Sequence, residues 1–466
     1  MPLSSLLRHP VSIVGALITT AAAVVFLTMA VAASAGLFNN PYAGLVIFIA
    51  LPAIFLLGLL LMPLGHWLMQ RKLRRDPTAV AEWPVLDFRV ASVRRTALLL
   101  TALTAVNVTI LLLAGYGSLR WMESPSFCGQ TCHTPMRPQF SAWQQTTHSR
   151  VDCVQCHIGE GARAFVRYKL AGVRQLVHVV GNNYPRPIPA SMADLRPALE
   201  VCGHCHDPRM NFGESLRVSR EYADDEANTE TMTVLRMHVG GPGQPTSSGR
   251  AIHWHADPSV KIEYVATDPD RQTIPYVKVT RGDGRVTEYA AEGTTPAERP
   301  AGMVRNMDCI DCHNAAAHRI SPTAEQAVDR AIASGRVDRQ LPFVRREAVR
   351  LVSSHYPDDN AALQAIEQEL RQFYTSRSSG MDPRVLASAI DGVRGVYQHN
   401  VFPDMKVGFG VYLDNLGHIT SSGCFRCHDD SHTAPDGSTI SASCEYCHTQ
   451  VETPVLSATA SAVPGK

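Results

Sequence analysis

All twelve cysteines of this 466-residue chain fall in pairs, and a histidine follows the second member of every pair. Five pairs read C-x-x-C-H: Cys153/Cys156-His157, Cys202/Cys205-His206, Cys309/Cys312-His313, Cys424/Cys427-His428 and Cys444/Cys447-His448. The first, Cys128/Cys132-His133, carries one more residue between its cysteines. Two thiols at this spacing form thioethers to a porphyrin edge, and the adjacent histidine reaches the iron, so the pattern is the attachment signature of a c-type haem. Zinc knuckles share the C-x-x-C spacing, and disulfides would suit an oxidising compartment. Neither needs a histidine after the second cysteine, and 19 histidines in 466 residues do not land there six times by chance. The chain is therefore expected to fold around six covalently bound haems c, with His133, His157, His206, His313, His428 and His448 on the irons. The longer first loop changes the thioether spacing and sets that site apart.

Each iron needs a sixth ligand. Ten histidines remain after those in the motifs (His204 included) and in the membrane region: His148, His178, His238, His253, His255, His318, His355, His399, His418 and His432. Supply exceeds demand, so haems with two axial side chains are expected, which suits electron transfer and not ligand activation. Closeness in sequence favours His148, five residues before Cys153, His318, five after His313, and His432, four after His428. His399 and His418 follow in order of preference. For each, an exposed loop histidine is the alternative. Met136, three residues after His133, is the soft candidate for the first iron, where a thioether would raise the potential; a gap-filling core methionine is its alternative.

Three apolar runs precede the motifs: Val11–Leu37, Ala43–Met69 and Thr96–Leu119. Each exceeds the ~20 residues that cross ~30 Å of hydrocarbon, so three spanning helices are expected. The first is read as an uncleaved anchor, with Arg8 and Ala33-Ser34-Ala35 leaving a cleavable leader as the alternative. Arg71, Lys72, Arg74, Arg75, Arg89, Arg94 and Arg95 lie between the second and third runs, and Asn39–Tyr42 between the first and second has no basic residue. By the positive-inside rule the basic loop is cytoplasmic and the cysteine-bearing part lies outside, in a bacterial periplasm. His66 is the one histidine within these runs, too few for a b-type haem held between two helices. Cys128 follows Leu119 by nine residues, which keeps the first attachment site within ~30 Å of the bilayer.

Charge follows the same division. Residues 1–120 carry nine basic against three acidic side chains, and the remainder is at −5. A uniformly basic nucleic-acid binder is excluded. Residues 207–308 hold no attachment site and read as an insertion. In it Ile274–Thr280 and Arg285–Ala290 alternate around Gly282-Asp283-Gly284 as a β-hairpin, and Gly240-Gly241-Pro242-Gly243 marks a loop. From Ser321 to Gly395 the pattern is helical, with Ser321-Pro322 and Asp382-Pro383 as N-cap and first helical residue and Asn360–Tyr374 at helical spacing. Pro454–Lys466 is a small-residue tail expected to be mobile. The fold class is mainly α. Three transmembrane helices (1–120) precede a three-haem module (121–206), the hairpin insertion (207–308), a fourth haem with a helical segment (309–395), a two-haem module (396–453) and the tail (454–466), with little regular structure around the haems. No Walker loop, dinucleotide fingerprint or catalytic-serine motif is present.

The text CGQTCHTPM, HSRVDCVQCHIGEGARAFVRYKLAGVRQL and RPIPASMADLRPALEVCGHCH between Cys128 and His206 resembles the NapC/NirT family of membrane-anchored multihaem quinol dehydrogenases. HWH at 253–255, RNMDCIDCHNAAAH at 305–318 and HNVFPDMKVGFGVYLDNLGH…GCFRCHDDSH…CEYCH from 399 onward resemble the longer inner-membrane cytochromes of that family in metal-respiring bacteria. The resemblance implies a first haem at the membrane surface beside a quinol pocket, a methionine near its iron (Met136) and a lysine lining the pocket, matched by Lys169. Members of the short type pair that lysine with an acid, where this chain offers Arg174 and Gln175. They also carry one membrane helix and four haems. The resemblance implies oxidation of a membrane quinol, expected to be menaquinol, with electrons passed to a periplasmic acceptor protein. The alternatives are a relay or anchor subunit without its own quinol site and a multihaem nitrogen-oxide reductase.

Overall fold

The computed structural model describes residues 10–34, 50–75, 88–131, 133–158, 162–189, 197–207, 213–240, 251–294, 299–377, 382–451 and 455–456. Cys132, Gly241, Gly243, Pro454 and residues 457–466 lie outside them, as do the side chains of His133 and Lys169. The chain divides into two compact units, Met1–His133 and Thr134–Lys466, and about half of it is helical.

The first unit contains α1 (Pro10–Ser34), α2 (Leu51–Arg75) and α3 (Ala91–Glu123). Pro10–Met29 and Leu51–Arg71, with mean hydropathies of 2.2 and 1.8, are long and apolar enough to cross a membrane. Their contact is a seam of small residues. Gly15 lies against Gly58 and Ser12 against Gly65, so the two helices run antiparallel. A Cβ on Gly15 would sit 2.7 Å from the Gly58 carbonyl oxygen, and one on Gly58 would sit 2.8 Å from that of Gly15. Such close backbone approach is the usual source of helix association where lipid removes the hydrophobic drive. The Ser12 hydroxyl donates across the seam to the Met62 carbonyl (3.0 Å) and that of Thr19 donates back to Gly15 (2.8 Å), so both buried hydroxyls are satisfied.

One sequence expectation changes here. The positions expected to form a basic loop are largely helical: Arg71 and Arg74 belong to the end of α2, and Arg94 and Arg95 to the first turns of α3. The extra residue of the first motif falls in a π-helical turn, Phe127–Thr131, whose wider ring absorbs one residue more than an α turn.

The second unit has α4 (His133–Gln144, begun at the unit boundary), α5 (Ala162–Val180) and strands β1 (Ser215–Tyr222), β2 (Glu230–Met237), β3 (Lys261–Ala266), β4 (Tyr276–Thr280), β5 (Val286–Ala290) and β6 (Met303–Asn306). Four helices follow: α6 (Ala324–Ala333), α7 (Val344–Val352), α8 (Asp359–Thr375) and α9 (Pro383–Asn400); then come β7 (His448–Val451) and β8 (Val455–Leu456). Both sheets are antiparallel. One has the order β1-β2-β7, with β8 also on β2, and the other β5-β4-β3-β6. The expected hairpin is β4–β5, and Gly284 takes φ +82 in its turn. The rest corrects the expectation of one hairpin in little regular structure. The segment expected to be a mobile tail supplies β8, and residues 207–308 share a sheet with the C-terminal motif.

The largest core joins α6 to α9, with Val328, Ala331, Val344, Leu351, Ile366, Ile390 and Val393 buried together. Asp358 caps α8 by accepting from Ala361 N (2.8 Å), and Asp382 caps α9 by accepting from Arg384 N (2.8 Å), with Pro383 in the first turn as its sequence suggests. The N-cap of α6 is Thr323 and not Ser321, whose own N–H is taken by the Asn400 side chain.

Candidate functional site

The five motif histidines whose side chains are described each face a second imidazole. His157 stands 5.9 Å from His318 between ring centroids, His206 6.1 Å from His148, and His448 6.2 Å from His418. His313 lies 6.4 Å from His253, with only 12° between the ring planes, and His428 lies 5.8 Å from His255. A metal bound by two opposed imidazole nitrogens at about 2 Å each sets the centroids about 6 Å apart. A packing contact or a hydrogen bond between rings would not repeat this one distance five times.

The outer nitrogens are arranged for the same purpose. Nδ1 of His148 lies 3.2 Å from the Ala316 carbonyl, that of His318 3.0 Å from Gln139, that of His255 2.7 Å from Ile252 and that of His428 2.9 Å from Ser441. Each bond fixes a tautomer with N–H at Nδ1 and leaves Nε2 as the lone-pair donor, the outer-shell pattern of metal-binding histidines. Nδ1 of His253 and of His448 are buried without a hydrogen-bond partner among the described residues. Burial pushes His157, His255, His313, His318 and His448 towards the neutral form that can hold a metal.

The cysteines agree. No described motif cysteine is joined in a disulfide, although their spacing would permit other chemistry. Among the described residues no three His, Cys, Asp or Glu side chains converge on one point, so no zinc tetrad is assembled. Haem c fits this donor set: two thiols to attach it and a histidine on each face. Burial, with Cys424 next, pushes Cys312 up to about 12; burial also takes Cys427 to about 12, where Cys312 adds to the rise. The fourth and fifth motifs are thus immediate neighbours.

Cys205 and Cys444 differ from the other predicted attachment cysteines. Both are exposed, whereas the rest of those described are partly buried. A thiol walled in by protein on all sides is therefore not what the third motif provides at Cys205. The reason is local. The short helix Ala198–Val201 ends just before the motif, and the chain turns there, with Cys205 N donating to the Cys202 carbonyl (3.1 Å). That turn carries Cys202 inward, where burial and then Cys309 push its thiol up to about 11, and leaves Cys205 on the outer side. Cys205 still lies near the second motif: after burial and Cys153, it helps to raise the Cys156 thiol.

The remaining candidates separate cleanly. His432 is 2% exposed, and both its ring nitrogens are taken, Nδ1 by Asp429 (2.8 Å) and Nε2 by the Ile274 carbonyl (2.6 Å), which leaves none for iron. His399 turns Nδ1 back onto Gly395 of its own helix, and no ring contact joins it to a described motif histidine. His253 and His255, given no preference from sequence, are the histidines that face His313 of the fourth motif and His428 of the fifth. Their signal was their occurrence as a histidine pair around one tryptophan. Met136 is half-buried on α4, one turn beyond His133.

Lys169, Arg174 and Gln175 share α5, and Arg174 and Gln175 are exposed. On the same helix Leu170, Val173, Val177 and Val180 are 61–80% exposed, at spacings of three and four residues. An apolar stripe of this kind beside basic residues is the composition of an interfacial membrane helix.

Comparison with known proteins agrees with these features. Residues 91–187 match the NapC/NirT cytochrome c family, N-terminal region. The chain is 35% identical over 456 residues, 96% of its length and 88% of the other's, to the cytochrome c-type protein ImcH of Geobacter sulfurreducens. No solved structure matches it.

Proposed function

Because the chain belongs to the NapC/NirT cytochrome c family, whose members are membrane-anchored multihaem electron carriers, we propose that it is a six-haem quinol dehydrogenase of the bacterial inner membrane. The observation that carries this reading is the set of five histidine pairs at 5.8–6.4 Å. Two side chains per iron leave no open position for a substrate, which favours electron transfer over reduction of a nitrogen oxide at the metal. The twelve cysteines attach the haems and the six motif histidines are proximal. His318, His148 and His418 would help to hold the second, third and sixth haems, and Met136 the first.

Three helices anchor the chain. At 33 residues α3 is about 50 Å long, more than the ~30 Å hydrocarbon core, and forms the third span. Arg71 and Arg74 on α2 and Arg94 and Arg95 on α3 hold those ends in the cytoplasm, so the chain beyond Glu123 is periplasmic. The exposed stripe of α5 then rests in the outer leaflet, and Lys169 holds a quinol oxygen there, with Arg174 and Gln175 nearby. Haem held at these sites would supply one-electron chemistry, taking singly the two electrons of a quinol, expected to be menaquinol, whose two protons would pass to water at the outer surface. The acidic haem-bearing part, at −5, suits a basic docking face on a periplasmic acceptor protein.

The test is anaerobic mixing of detergent-purified holoprotein with a menaquinol analogue while the absorbance of reduced haem is followed. Rapid partial reduction, lost in Lys169→Ala at unchanged haem content, is expected. A sample that dithionite reduces fully and quinol leaves oxidised would make the chain a relay or anchor fed by another subunit.

A further inference from the structure

The tripeptide His253-Trp254-His255 occupies a short 3-10 turn, Ile252–Ala256. At three residues per turn, positions two apart point roughly 120° away from each other. The two histidines therefore meet different neighbours, His253 the fourth motif's His313 and His255 the fifth motif's His428. We infer that this one turn supplies the sixth ligand to two irons, His253 at the fourth site and His255 at the fifth, and that Arg426 and Asp311 hold the two attachment motifs in the offset this bridge requires. The inference rests on the haem reading above and adds to it which residues bridge which sites.

The turn has little freedom. Ile252 N donates to the His238 carbonyl (2.9 Å) and His253 N to that of Val239 (3.1 Å), which pins the turn to the chain leaving β2. Trp254 packs against the buried cluster that holds Ile262, Tyr264 and Val277, and Cys427 of the fifth motif packs against that same cluster. The His255 ring is tied through Nδ1 to Ile252 and the buried Nδ1 of His253 is unpaired.

The motifs are joined from the other side by the residues just before their second cysteines. Asp311, 1% exposed in C-I-D-C, accepts from Tyr264 Oη (2.6 Å), from Arg271 and from the backbone of Asp308 (2.8 Å). Its own carbonyl accepts from Nη2 of Arg426 in C-F-R-C (2.7 Å), whose Nη1 donates to the Arg271 carbonyl (3.1 Å) and Nε to Gly423 (2.7 Å). A buried carboxylate and a buried guanidinium are costly unless their hydrogen bonds are made. Here the Arg426 guanidinium binds backbone of the opposite motif, so separating the motifs would strand it, while the Asp311 carboxylate, through Tyr264, Arg271 and Asp308, fixes the carbonyl that the guanidinium binds. Asp311 and Arg426 are positioning residues, whereas His253 and His255 are ligands.

The test uses full-length holoprotein, its haems counted chemically and the spin state of its ferric haems read by low-temperature electron paramagnetic resonance. His253→Ala and His255→Ala should each keep six haems and convert one from low to high spin, and the double variant should convert two, with added imidazole restoring the low-spin signal. Should an alanine variant fail to accumulate, His253→Met and His255→Met keep a sixth ligand, and each should raise the potential of one haem. Arg426→Gln should keep six low-spin haems and shift the potentials of two. Variants that keep six low-spin haems and every potential would overturn the inference. A wild-type count other than six would overturn the haem reading instead.

Discussion

Phe425, inside the fifth motif, stacks on His418 with ring centroids 4.3 Å apart and 26° between planes, so one attachment site carries a ring onto the histidine that faces the next. Aromatic contacts of this kind contribute about 0.5–1.5 kcal/mol, a roughly 2- to 10-fold effect on how firmly His418 holds its place. Phe425→Ala should leave six haems bound and make the sixth more accessible to an added ligand. Cyanide titration of the oxidised protein is the measurement, and a gain of up to about tenfold in affinity at one haem is expected. Equal affinity in both proteins would mean that the stack does not hold His418.

His148 and His432 give the sharpest contrast between a histidine proposed as a ligand and a buried structural one. His148 faces His206 with Nδ1 turned to a carbonyl, whereas His432 is held at both nitrogens. His148→Ala should turn the third haem high-spin. His432→Ala should leave every haem low-spin and cost about 1–3 kcal/mol of stability, because the Ile274 carbonyl loses its donor in the interior. Spin state and thermal unfolding of the two variants, read side by side, check both statements.

That contrast also marks the limit of what the sequence tells. Covalent attachment needs two cysteines and a histidine in contiguous sequence, so proximal ligands are legible residue by residue. How deeply each thiol sits is not: Cys202 and Cys205 belong to one motif, yet the turn between them half-buries the first and exposes the second. The opposite face of each iron imposes no spacing at all. His255 meets His428 from far along the chain, whereas His432, favoured by nearness to a motif, has both ring nitrogens in hydrogen bonds. The two apolar runs that became α1 and α2 are legible because lipid demands length and composition together. Strand β1 is not, since Ser215–Leu216–Arg217–Val218–Ser219–Arg220–Glu221 is exposed throughout and shows no buried face to alternate with a polar one. At α6, Ser321-Pro322 and Thr323 are equally good caps by residue type. Tertiary contact decides, because the Asn400 side chain takes the Ser321 N–H and Thr323 accepts from Gln326 N (3.2 Å).

Gly58 is the residue on which the pairing of α1 and α2 turns. A Cβ there would lie 2.5 Å from Thr19 Oγ1 and 2.8 Å from two backbone atoms of α1, contacts that a rotamer change cannot relieve. Gly58→Val should separate the helices, with a loss of about 1–3 kcal/mol from overpacking. Less protein recovered from membranes and a lower unfolding temperature in detergent are expected. Gly115, with open space around its α-carbon, is the control position: Gly115→Ala should match the wild type in both measurements.

The apolar stripe of α5 separates a membrane-facing helix from one that merely faces water. Val173 and Val177 are 61% and 64% exposed one turn apart, beside the exposed Arg174. Fully burying an aliphatic side chain is worth about 1.5–3 kcal/mol, and insertion into the leaflet gains part of that for each. Val173→Asn with Val177→Asn removes the gain without touching any motif or adding a charge. Reduction by a membrane-dissolved quinol should slow by about tenfold, the equivalent of about 1.4 kcal/mol, while reduction by dithionite from water stays at the wild-type rate. If both rates are unchanged, α5 does not rest on the bilayer, and the quinol site must be sought away from Lys169.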